Sequence, residues 1–112
     1  MVSKEKYESF KIYGTDESTD AGIFVEAYDG KMNICYYVWE ENGTPFGNQD
    51  FEIFIHIDKE NTKKIANKFR AQTNGQLVER FGEIFIRHKS KAFEAIQEWL
   101  EAKGIAYSKS SH

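Results

Sequence analysis

The chain has one cysteine and no long apolar run, and each shortage excludes something. A lone Cys35 cannot form an intramolecular disulfide, so the fold does not rest on an oxidised, stapled framework. The longest uninterrupted apolar stretch runs from Ile34 to Trp39, far below the roughly 20 residues a membrane helix needs. The opening MVSKEKYESF carries no apolar signal-peptide core. A cytoplasmic protein that makes no membrane contact is therefore expected, and the sequon Asn42-Gly43-Thr44 is read as a turn rather than a glycosylation site. Excess positive charge is missing too. Fifteen Lys and Arg stand against eighteen Asp and Glu, a formal charge of −3, which argues against sequence-independent binding to nucleic acid.

What the sequence does have is aromatic side chains: nine Phe, six Tyr and two Trp in 112 residues. Such residues favour strands and anchor interfaces. The length suits a single α+β domain over 1–112.

The first half reads as a β-meander. Residues 7–13 and 23–28 alternate like strands on either side of the polar loop GTDESTD. Asp29-Gly30 marks a two-residue hairpin into a strand over 31–40. A long linker over 41–50, with Phe46 in its middle, leads to a strand at 51–57. The second half changes period. Asp58 is placed to cap a helix over 59–73 with Ile65, Ala66 and Phe69 inward, and Asn74-Gly75 reads as its stop. Ser90 is placed to cap a helix over 91–103, with Phe93, Ile96, Trp99 and Leu100 inward and Gly104 ending it.

Between them, Leu77, Phe81, Ile84, Phe85 and His88 would share one helix face over 76–88. Gly82 and the β-rich Ile84-Phe85-Ile86 instead favour a strand at 83–88, echoing Glu52-Ile53-Phe54-Ile55. The expected architecture is a two-layer α+β sandwich. It has a mostly antiparallel sheet of four to five strands, with two helices on one face and a right-handed crossover into a parallel strand. Its core would take Ile23, Val25, Met32, Ile34, Tyr36, Val38, Ile53, Ile55, Ile84 and Ile86.

The stretch MNICYYVWE (32–40) then poses the functional question. Its second face carries Asn33, Cys35, Tyr37 and Trp39, and it would be joined by Phe24, Tyr28, Phe54, Phe85 and His56. Two short helices cannot cover both faces of such a sheet.

Catalytic and metal signatures are weak. Cys35 and His56 share a predicted face, but nothing marks the thiol as activated, so an ordinary strand cysteine is expected. The three histidines lack metal-ligand spacing, and no metal or cofactor is implied. The loop from Asp16 to Gly22 has its glycine one place late for a calcium loop, and position twelve would be Ala27. Glu52 and Glu83 are not marked as a catalytic carboxylate pair, and the glycines lack phosphate-loop register. An RNA-binding sheet would stack bases on aromatics, but the lysines gather on the first helix (Lys59, Lys63, Lys64, Lys68).

The expectation is a small non-enzymatic protein that docks on another protein, or on a second copy of itself, by its aromatic sheet face. An inhibitor or toxin-immunity role is one concrete form of this. The expected partner-binding residues are Phe24, Tyr28, Tyr37, Trp39, Phe46, Phe54, Asp16 and Asp20. The alternative is a ligand-binding or enzymatic domain with an aromatic pocket around Tyr37, Trp39 and His56.

Overall fold

Asp29 and Gly30 both adopt positive φ (51° and 75°), the conformation of the two-residue hairpin turn whose twist matches that of its strands. The turn fixes the register of the sheet's centre. The computed structural model describes residues 6–14, 21–40 and 49–111, with side chains for all of these except 21, 38–40 and 49–51. Among these residues five strands are present: β1 (Glu8–Tyr13), β2 (Ala21–Tyr28), β3 (Lys31–Glu40), β4 (Gln49–Ile57) and β5 (Ser108–Ser111). They lie in chain order β1-β2-β3-β4-β5 and every pairing is antiparallel. A register shift between Lys11 and Tyr13 kinks β1 and lets Ile12 reach the core.

Helices α1 (Lys59–Phe69), α2 (Asn74–Glu83) and α3 (Ala92–Ala102), with a 3-10 segment at Ile86–Lys91, occupy the connection from β4 to β5. Asp58 caps α1 as expected, its carboxylate accepting from the Asn61 amide at 2.8 Å. The helix stops at Phe69 rather than at 73. Arg70 takes the left-handed conformation, and the Arg80 guanidinium donates to the carbonyls of Phe69 and Arg70.

Asn74-Gly75 is therefore not a stop. Thr73 caps α2 by accepting from the Gln76 amide, and Gln76 accepts in turn from the Gln72 amide, an arrangement close to a capping box. The helical period continues through the stretch expected to be a strand. Leu77, Val78, Phe81 and Phe85 are buried, while Ile84 and Ile86 are 40% and 44% exposed. The parallel crossover is likewise absent, because β5 returns antiparallel beside β4. Ser90 lies within the 3-10 segment, and α3 begins without a side-chain cap. Gly104 (φ 69°) follows its end as expected.

All three helices pack on the sheet face made by Ile23, Val25, Ala27, Met32, Ile34, Ile55 and Ile57. Tyr36 and Ile53 border this core, and Val38 lies outside the described side chains. At its centre Phe81 is fully buried against Phe69, Phe85 and Trp99, with ring centroids 5.0–5.9 Å away. Phe85, expected on the opposite face, is thus a core residue. Burying such rings supplies roughly 2–3 kcal/mol each, which outweighs the weak helix propensity of the segment.

Gly82 explains how α2 comes so close to the sheet. A Cβ there would run into the ring of Phe10 on β1, well inside van der Waals contact. Alanine is the better helix former by about 1 kcal/mol, yet overpacking of this kind costs about 1–3 kcal/mol. Gly82→Ala is expected to lower the urea midpoint. A raised midpoint would show that α2 does not sit against Phe10.

Candidate functional site

Period-two alternation sends Phe24, Glu26 and Tyr28 of β2, and Asn33, Cys35 and Tyr37 of β3, to the face away from the helices. No described helix covers that face. Its side chains fall into cross-strand rows. One is polar and spans all five strands: Ser9, Glu26, Asn33, His56 and Ser108 lie directly opposite one another in turn. The next row is mainly apolar: Lys11, Phe24, Cys35, Phe54 and Ser110. Tyr37 lies one row further on, opposite Glu52.

The polar row is bonded through. Glu26 accepts from the Tyr7 hydroxyl at 2.6 Å, from Asn33 Nδ2 at 3.3 Å and from the Cys35 thiol at 3.7 Å. Asn33, only 7% exposed, also donates to the Tyr28 hydroxyl at 3.3 Å. Its Oδ1 lies 2.9 Å from His56 Nδ1, and His56 Nε2 lies 2.8 Å from Ser110 Oγ. A carboxylate only accepts, so Glu26 sets the direction of the whole chain. The Asn33 amide must turn its NH₂ to Glu26 and its oxygen to His56. The hydrogen between Asn33 and His56 is then carried by His56 Nδ1. In its neutral form His56 then presents its Nε2 lone pair to the Ser110 hydroxyl.

Ring contacts stiffen the margins. Tyr7 and Tyr28 stand 6.0 Å apart, Phe54 stacks on His56 at 6.0 Å, and Lys11 Nζ lies 5.8 Å from the Phe24 ring centre. At the end of the polar row a cleft of about 500 Å³ is lined by Tyr28, Lys31, Asn33, His56, Tyr107 and Ser108, among others.

Of the residues expected at a partner surface, Phe24, Tyr28, Tyr37 and Phe54 share this face, with Tyr28 41% exposed. Trp39 lies in β3 opposite Asp50, and its side chain is outside the described set. Phe46, Asp16 and Asp20 lie outside the described residues. The expected pocket is not assembled from Tyr37 and His56. They sit two cross-strand rows apart, and Tyr37 is not in the wall of the cleft at His56. The thiol–imidazole pair is not formed either, since Cys35 bonds Glu26 whereas His56 bonds Asn33 and Ser110. The lysines of α1 are exposed on the helical layer.

Sequence reasoning placed Asn33 on this face without giving it a role, and passed over Tyr7, Glu26 and Ser110. The hairpin register placed Glu26 opposite Asn33 and could have revealed that pair. No family model, curated protein or solved structure matches the chain. Among the described residues no helix is long and apolar enough to cross a membrane, and no group of three or more His, Cys, Asp or Glu could hold a metal ion.

The Cys35 thiol is pushed up to about 12 from an ordinary 9.0, first by burial and then by the Glu26 charge and hydrogen bond. The Tyr7 hydroxyl also rises to about 12, first through its bond to Glu26. Cys35 is therefore a protonated donor at neutral pH rather than a nucleophile. At pH 8 its thiolate should be roughly 10³-fold rarer than in a free thiol. Alkylation by iodoacetamide should be slower than in the urea-unfolded chain by at least about 10²-fold, and Glu26→Gln should restore only part of the rate, because burial remains. Alkylation at the unfolded rate would contradict this assignment.

Proposed function

We propose that the chain is a protein-recognition domain that docks a partner across the open face of its sheet. It acts by occlusion, as an inhibitor or toxin-immunity protein does. One observation carries this reading. Aromatic side chains stand in register on a sheet face that no described helix covers, and hydrogen bonds through Glu26, Asn33 and His56 hold that face in one arrangement. A face already fixed loses little side-chain entropy on binding, which is where much of the free energy of association is otherwise lost. Tyrosines offer large contact area with a polar tip, and such residues dominate binding hot spots. The partly exposed Tyr7 and Tyr28, at 56% and 41%, mark one end of the surface.

The test pairs capture with mutation. A protein retained from the native host by the wild-type chain is purified, and its affinity is measured against a Tyr28→Ala, Tyr37→Ala double variant. The variant should keep its circular dichroism spectrum while binding weakens at least about 30-fold, equivalent to about 2 kcal/mol. Undiminished affinity in the folded variant would move the interface away from this face.

A further inference from the structure

We propose that Ser110, His56 and Asn33 act as nucleophile, general base and orienting group in acyl transfer from small activated esters. Ser110 Oγ lies 2.8 Å from His56 Nε2, and His56 Nδ1 lies 2.9 Å from Asn33 Oδ1. Those are the two contacts a serine nucleophile needs: a base within hydrogen-bond reach, and a third group on the far ring nitrogen. The three residues come from β5, β4 and β3, so no sequence motif joins them. A tie between β5 and the sheet would require only that Ser110 and His56 meet. It would not require an imidazole oriented by a buried amide that is itself oriented by a carboxylate.

The steps balance. Ser110 Oγ attacks the ester carbonyl carbon and forms a C–O bond, while its proton passes to His56 Nε2. The tetrahedral adduct collapses, its bond to the leaving oxygen breaks, and that oxygen takes the proton from His56. Acyl-Ser110 remains. Water then attacks the acyl carbon, again losing its proton to His56. The bond from the acyl carbon to Ser110 Oγ then breaks, the acid leaves, and Ser110 takes from His56 the proton that the water gave up. Asn33 touches no reacting atom. It is a positioning residue that keeps the hydrogen on Nδ1 and the lone pair on Nε2.

The base and its orienting group, His56 and Asn33, line a cleft of about 500 Å³, and Ser110 stands one cross-strand row from it. Asp58, also in the lining, has its carboxylate engaged in capping α1.

The experiment uses the full chain with p-nitrophenyl acetate and a fluorophosphonate probe, read by p-nitrophenol release and intact mass. Peptide mapping should place one acetyl or phosphonyl adduct on Ser110. Ser110→Ala should reduce release to the rate in buffer, and His56→Gln should lower adduct formation by about 10²-fold or more. Ser111→Ala, one residue further along β5 and on its opposite face, should keep it. Asn33→Ala should lower labelling, and the ¹⁵N spectrum of His56 should lose the single Nδ1–H tautomer while the circular dichroism spectrum stays unchanged. Label mapped to Lys31 or Tyr28, or wild-type release no faster than that of Ser110→Ala, would overturn the proposal. If a variant fails to fold, the position of the adduct on the wild-type chain still decides.

Discussion

The helical layer leaves the sheet at Ile57 and must rejoin it at Ser108, on the strand directly beside the one it left. An excursion that begins and ends at neighbouring antiparallel strands has no reason to cross the sheet, and here all of its buried side chains lie on one face. The rest follows from that geometry. Phe81, Phe85, Phe93, Ile96 and Leu100 close over Ile23, Val25, Ile34 and Ile55, and no described helix remains for the second face. The β4–β5 pairing closes the excursion with four opposed residue pairs, and the bond from Ser110 to His56 lies at that seam.

On the uncovered face the controlling group is Glu26. A half-buried carboxylate that receives a phenol, an amide and a thiol lowers the cost of its own partial burial. It also imposes one direction on every bond beyond it. The same charge that orients Asn33 and through it His56 helps to hold Cys35 protonated. The one thiol and the one strand imidazole of this face are thereby given different tasks. Cys35 is a donor to Glu26, and His56 presents a lone pair to a hydroxyl.

Much of this fold was legible because local signals agreed. Asp29-Gly30 fixed the central hairpin, alternation located four strands and the inward faces of three of them, and Asp58 began α1 where it begins. The difficulty lay where local signals conflict. The tetrapeptide Glu-Ile-Phe-Ile occurs twice, as strand at 52–55 and as the end of α2 and the turn after it at 83–86. Its β propensity is the same both times. Packing decides, because only a helical period brings Phe81 and Phe85 together with Trp99. Gly82, which counted against a helix, is required by the approach of Phe10. β5 was not legible at all, since Ser108-Lys109-Ser110-Ser111 has neither β-branched nor apolar residues and is a strand only because β4 offers an edge. The site inherits this limit: Glu26 and Asn33 follow from the hairpin register, whereas Ser110 needs the tertiary fold.

The central claim is that helices seal one face of the sheet, while the other, which no described helix covers, is ordered by its own hydrogen bonds. Hydroxyl-radical footprinting of the monomeric chain, read residue by residue by mass spectrometry, tests it most directly. Tyr7 and Tyr28 should be oxidised readily, Phe24 and Phe54 at intermediate rates, and Phe81, Phe85 and Phe93 hardly at all. Protection of Tyr28, Phe24 and Phe54 equal to that of Phe81 in a monomer would mean that the chain covers this face itself, and would contradict the account.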